Sequence, residues 1–164
     1  MEKRKLKRVA PQARAKGTGA AAVPAVAVGG ARRYLLDTNI CIYIANGRPA
    51  ALRDRFDSHT LPELAMSIIT LGELRFGAEK SQLRERALAT ITQLAQMVQT
   101  HALPLAAADH YGRIRATLQK QGLTIGNNDL WLAAHALAEG WVMVTNNTRE
   151  FDRVPGLQVE NWVE

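Results

Sequence analysis

Asp37, Glu73 and Asp129 are carboxylates that each stand where an apolar run meets a helical pattern, and Asn147 stands at a fourth such junction. Tyr34-Leu35-Leu36 runs into Asp37-Thr38-Asn39, and Val142-Met143-Val144 runs into Thr145-Asn146-Asn147. A short apolar run bounded by polar turn residues reads as a buried strand. Both sequences therefore put oxygen ligands just past a strand's carboxyl end, where open α/β sheets bind their ligands. Three carboxylates brought together repel one another and raise at least one pKa; a divalent cation removes that conflict. An oxygen-only set, with a single cysteine in the chain and no paired histidines, favours Mg²⁺ or Mn²⁺ over zinc. Such a site can generate a hydroxide-like nucleophile and neutralise phosphate charge in a displacement at phosphorus.

Each residue also has a plainer explanation. Asp37 can cap the helix that follows it. Thr70-Leu71-Gly72-Glu73 has the spacing of a capping box, in which Glu73 bonds back to Thr70. Asp129 falls in the first turn of a helix, where negative charge is favoured by the dipole, and Asn146-Asn147 can form an ordinary turn. Taken one at a time these explanations suffice. Together, all four positions can point at one end of one sheet, and the metal-site interpretation gains.

The elements that would hold these groups alternate between strand and helix signals, as in an α/β domain with a mostly parallel sheet flanked by helices. Strands are predicted at Tyr34–Leu36, Leu64–Ile69, Leu103–Leu105, Trp141–Val144 and Leu157–Val159. Helices are predicted from Ile40 to about Gly47, over Pro49–Asp57, from Leu71 to about Glu79, and over Leu83–Gln99, Ala106–Gln121 and Asn128–Glu139. Gly122 and Gly140 are placed to stop the last two. The sequence contains no internal repeat, glycine-rich phosphate loop or coiled-coil heptad.

A length of 164 residues suits one domain with a full core. The net charge of +6 is unevenly divided. Residues 1–33 hold nine Lys/Arg against Glu2, a local +8, which leaves the rest of the chain at −2. The basicity thus belongs to the tail, and a basic pI is weak support for nucleic-acid binding by the domain itself. Residues 1–32 read as a basic, Ala/Gly-rich, disordered extension and residues 33–164 as the folded domain. The tail's Lys/Arg block and its apolar stretch from Ala20 to Val28 loosely imitate a signal peptide, but Pro24 and Gly29-Gly30 interrupt it. No run approaches the ~18 apolar residues of a membrane span, so a cytoplasmic protein is expected. The lone Cys41, in an Ile-Cys-Ile-Tyr-Ile setting, reads as a buried apolar residue.

Four motifs in order resemble those of PIN-domain ribonucleases, and more narrowly the VapC toxins of bacterial type II toxin–antitoxin modules. They are Leu35-Leu36-Asp37-Thr38-Asn39-Ile40, Ser67-Ile68-Ile69-Thr70-Leu71-Gly72-Glu73-Leu74, Ile125-Gly126-Asn127-Asn128-Asp129-Leu130 and Val144-Thr145-Asn146-Asn147. The ending Arg149-Glu150-Phe151-Asp152-Arg153-Val154-Pro155-Gly156-Leu157 fits as well, so the resemblance runs from about Arg33 to Trp162. It implies a PIN-like fold and Mg²⁺-dependent endonucleolytic hydrolysis of RNA, leaving 5′-phosphate and 3′-hydroxyl ends, with Mn²⁺ able to substitute. Asp37 and Asp129 would be direct metal ligands and Glu73 would act through water. Asn147 takes a fourth position where many PIN domains carry an Asp. Thr38, Asn39 and Thr145 would position the acids or the scissile phosphate. The resemblance also implies a cognate antitoxin that inserts a segment into the acidic groove, and a homodimer formed through Leu83–Gln99.

Two other functions compete. A Mg²⁺ phosphohydrolase with an aspartate nucleophile also begins with a strand ending in Asp, but it needs a second acid where Asn39 stands. A non-catalytic RNA-binding or assembly module on the same fold would have no need for Asp37, Glu73 and Asp129 together. His101, His110 and His135 lack ligand spacing, and His135, in an apolar helix, reads as a core histidine. Asp109 reads as a surface acid, and Arg75, Lys80, Arg113, Arg115 and Arg149 as solvated charges that could reach RNA phosphates.

Overall fold

The computed structural model describes residues 32–47 and 49–163. The expected extension 1–32 lies, but for Arg32, outside the described residues. Five short strands form one all-parallel sheet in the order β3-β2-β1-β4-β5. They are β1 (Tyr34–Leu36), β2 (Leu64–Ser67), β3 (Gln99–His101), β4 (Val142–Val144) and β5 (Val159–Glu160). The helices are α1 (Thr38–Asn46), α2 (Ala50–Asp57), α3 (Ile68–Glu79), α4 (Arg84–Met97), α5 (Ala107–Gln121), α6 (Asn127–Glu139) and α7 (Thr148–Phe151).

Strand alternation divides the core into two layers. Tyr34, Leu36, Met66, Val142 and Val144 face α1–α4, where Ile40, Leu52, Leu74, Ile91 and Leu94 close the first cluster with Trp162. Leu35, Ala65 and Met143 face the other way, onto Ile114 and Leu118 of α5, Leu132 and Ala133 of α6, and Phe151 of α7. A parallel sheet covered on both faces needs continuous apolar strands. This explains why the three central strands were legible as short apolar runs. Gly122 and Gly140 close α5 and α6 in the left-handed conformation, each at φ 68°, as their placement predicted.

Three boundaries differ from expectation. Ile68 and Ile69 extend no strand: the Ser67 hydroxyl accepts the Ile69 N–H at 3.1 Å and starts α3 there. An apolar run cannot by itself say where strand gives way to helix. Thr70 consequently lies inside the helix and its hydroxyl donates to the Leu36 carbonyl at 3.4 Å, so the Thr70–Glu73 capping box does not form. The third strand is the polar Gln99–His101 and not Leu103–Leu105. Pro104 and Leu105 instead supply carbonyls to the first turn leading into α5, accepting from Ala107 and Ala108. The last strand is Val159–Glu160, two residues beyond its predicted start. Cys41 is fully buried as expected, and burial pushes its thiol pKa up, so it is no nucleophile.

Candidate active site

Leu36 pairs with Val144, and the Asp37 N–H donates to the Val144 carbonyl at 3.0 Å, carrying the ladder one step past the strand. This β1–β4 boundary is where the chain's strand order reverses direction, the switch point at which parallel sheets open a crevice. Asp37 is 5% exposed. Its two oxygens are held separately: Oδ1 accepts the Thr38 N–H at 2.6 Å and Oδ2 accepts the Thr145 hydroxyl at 2.7 Å. The Thr145 Oγ in turn accepts the Asn147 N–H at 2.9 Å. Asp37 therefore does cap α1, and it also faces the crevice. Burial raises its pKa; the Thr145 and Thr38 bonds oppose that, and Glu73 adds to it.

Glu73 reaches the same crevice from the second turn of α3. The Thr38 hydroxyl donates to Glu73 Oε2 and Asn128 Nδ2 donates to Oε1 at 2.8 Å. Asp129 arrives from the first turn of α6. An open groove of about 690 Å³ is lined by Asp37, Thr38, Asn39, Glu73, Asp129 and Asn147. All of the residues named from sequence as acid, polar corner or support line this groove, apart from the fully buried Thr145, which acts beneath it on Asp37.

One acid escaped sequence reasoning. Glu150, in α7, accepts the Gly126 N–H at 3.4 Å and stands close enough to Asp129 to raise its pKa. Burial first, then the Glu150 bond and the charges of Asp37, Glu150 and Glu73, lift Asp129 to about 7, while Glu150 is lowered by the same bond. The pair thus holds one proton near neutrality. A signal was present, since Glu150 follows Asn147 by three residues, one helical turn, but only once α7 is recognised does that spacing bring it beside Asp129. The Glu150 N–H donates to the Asn147 carbonyl at 3.1 Å, so the corner held by Asn147 has an acid beside it.

No ion pair joins any of these four acids to Lys or Arg among the described residues. Nor do three of them stand at ready-made metal-holding spacing among those residues; Glu73 leans on Thr38 and Asn128, and Asp129 on Glu150. An oxygen-only donor set with unneutralised charge is what a hard divalent cation requires, so the residues fit such an ion. His135 is buried as predicted, with Nδ1 3.1 Å from the Ser67 hydroxyl, but its Nε2 has no partner. Desolvation lowers its pKa to about 4, which keeps it neutral. His101 and His110 lie in β3 and α5 and do not line the groove.

The PIN domain family model matches residues 34–157. A "tRNA(fMet)-specific endonuclease VapC" of Shigella flexneri is 45% identical over 79% of this chain and 98% of its own length. "Ribonuclease VapC2" of Haemophilus influenzae is 46% identical over 80% of this chain and 98% of its own. The crystal structure of DNA-bound VapBC from Salmonella typhimurium superposes with a TM-score of 0.76 at 40% identity, covering 80% of this chain and 99% of that one. An all-parallel sheet with acids at its switch point, matched along this span, defines a PIN domain. Within that class, the chain belongs to the VapC ribonucleases.

Proposed function

We propose that the chain is a Mg²⁺-dependent endoribonuclease and the toxin of a two-protein toxin–antitoxin module. Asp37, Glu73 and Asp129 would bind the metal, with Asn147 lining the same groove and Glu150 beside Asp129. The observation that carries this is the gathering of Asp37, Glu73 and Asp129 around one groove at the β1–β4 switch point, none of them in an ion pair with Lys or Arg among the described residues. When bound there, a divalent ion supplies Lewis-acid polarisation of the scissile phosphate and of a water.

The chain's own residues do the positioning. Thr145 and the Thr38 N–H lock both oxygens of Asp37, so this buried carboxylate has one orientation. Thr38 and Asn128 fix Glu73 in the same way. The proton between Asp129 and Glu150 must leave before a dication is held, so metal occupancy rises with pH. Asn39, exposed at the groove's mouth, is free to contact the sugar-phosphate backbone.

Initiator tRNA is the first substrate to test, because the Shigella relative is named for it. The VapBC structures support a small antitoxin as partner, blocking the acidic groove. A homodimer remains part of the proposal. The apolar stripe of α4 is, however, spent on the chain's own core through Ile91 and Leu94, leaving Leu83 and Met97 exposed at the ends of that segment. Among the described residues no helix is long and apolar enough to cross a membrane. Induced expression with and without the adjacent antitoxin gene, followed by sequencing of RNA ends, tests the function. Growth arrest with discrete tRNA cuts, relieved by the antitoxin, is expected; intact RNA in arrested or growing cells refutes it.

A further inference from the structure

A second cavity, of about 120 Å³, opens between α5 and the start of α6. Its floor is Leu118, Ile125 and Leu130, and its polar edge is Arg115, Gln119 and Asn127. Asn127 immediately precedes Asn128 and Asp129, which line the acidic groove. The two cavities therefore flank the same amino-terminal turn of α6.

The polar edge is preset. Arg115 Nη1 donates to the Tyr111 hydroxyl at 2.6 Å. That hydroxyl, with its acceptor side occupied, donates its own hydrogen to Asn127 Oδ1 at 2.6 Å. The relay consumes the Asn127 oxygen and so fixes the amide, presenting its NH₂ as a donor. Tyr111 is itself held by a stack on Trp131, with centroids 4.1 Å apart and planes 19° from parallel. Arg115 keeps further N–H groups, and Gln119 is exposed on the same helix face four residues on.

An apolar floor, a donor-rich edge and space equal to about four waters at ~30 Å³ each describe a slot for one planar heterocycle. Single-stranded RNA offers such groups, since its unstacked bases can be splayed out and bonded along their edges. We propose that this cavity receives a nucleobase of the substrate RNA close to the scissile phosphate, read through an acceptor-bearing edge by Arg115, Asn127 and Gln119. This rests on the ribonuclease function proposed above. It assigns base selectivity to α5 and the start of α6, separate from the acids that bind metal.

The test uses the full chain in EDTA, where metal-dependent cleavage does not compete, titrated with short, fluorescently labelled, unstructured RNAs. In each RNA one nucleobase is removed to leave an abasic site. For wild type, one position should weaken binding by about tenfold when its base is removed, the scale of one well-made base contact. In Gln119→Ala, and independently in Arg115→Ala, the base-bearing RNA should bind as weakly as the abasic one. Tyr111→Phe keeps the ring and should show the same loss of selectivity through the freed Asn127 amide, and circular dichroism checks that each variant is folded. The proposal is overturned if no position shows a base dependence, or if folded variants keep the wild-type dependence. Cleavage of the same RNAs in Mg²⁺ is scored separately: its absence alongside intact base selectivity counts against the ribonuclease function and not against the slot.

Discussion

Thr145→Val isolates the contribution of a single buried hydroxyl at nearly constant volume. Two hydrogen bonds disappear: the one donated to Asp37 Oδ2 at 2.7 Å and the one accepted from the Asn147 N–H at 2.9 Å. A bond to a charged group contributes ~1.5–3 kcal/mol and a neutral one ~0.5–1.5 kcal/mol. With Asp37 ionised the expected loss is therefore about 2–4 kcal/mol. Protonation limits that loss. Burial already raises the Asp37 pKa, and the Thr145 bond is the largest influence opposing that rise. Without Thr145 its folded pKa climbs further from its unfolded value. A carboxyl with a raised folded pKa loses stability as pH rises through that pKa, so the cost of Thr145→Val should be larger at pH 8 than at pH 5. Urea unfolding of both proteins in EDTA at the two pH values measures this directly. At a slope of ~2 kcal/mol/M, the middle of the usual range, the midpoint at pH 8 should fall by roughly 1–2 M. A loss below about 1 kcal/mol at pH 8, or a larger loss at pH 5, would mean that Thr145 does not hold the ionised form of Asp37.

Other expectations concern the same groove and the far end of α6. In EDTA, Tm should decline from pH 5 to pH 8, because Asp129, raised to about 7 chiefly by burial, must ionise among other acids; millimolar Mg²⁺ should raise Tm more at pH 8 than at pH 5, and an equal effect at both would count against metal binding by these groups. Glu150→Gln removes the acid partner of Asp129, so the Asp129 titration followed by carboxyl NMR should move to lower pH; an unmoved midpoint would dissolve the pair. Gly140 ends α6 at φ 68°, where an alanine is strained by about 1–2 kcal/mol. Gly140→Ala should lower the thermal midpoint by several degrees without altering cleavage by the protein that remains folded.

Much of this was legible in the sequence because the central strands are continuous apolar runs that end on polar residues. Tyr34–Leu36 and Val142–Val144 announced both the sheet and its ligand-bearing edge. What stayed hidden was set by tertiary contacts. Gln99–His101 forms a strand although its residues are polar, because an edge position asks for pairing on β2 more than for burial. Ile68 and Ile69 looked like strand because apolar composition does not show Ser67 capping a helix. Glu73 carried a local alternative, the capping box, that only the positions of Thr38 and Asn128 could reject. Glu150 went unread since its partner Asp129 lies on another helix. The Arg115–Tyr111–Asn127 relay was equally invisible, its members appearing as a solvated arginine, a tyrosine on a helix's apolar face and an asparagine before Asp129.

The central claim is that a divalent metal held by Asp37, Glu73 and Asp129 hydrolyses RNA, and the chemistry of the cut ends tests it most directly. Initiator tRNA should be incubated with wild-type protein in Mg²⁺, with wild-type protein in EDTA, and with Asp37→Asn and Asp129→Asn proteins shown to be folded by circular dichroism. Wild-type protein in Mg²⁺ should give discrete fragments bearing 5′-phosphate and 3′-hydroxyl ends, and the other three reactions none. Cleavage that persists in EDTA or in both variants, or that leaves 2′,3′-cyclic phosphates, would contradict the central claim.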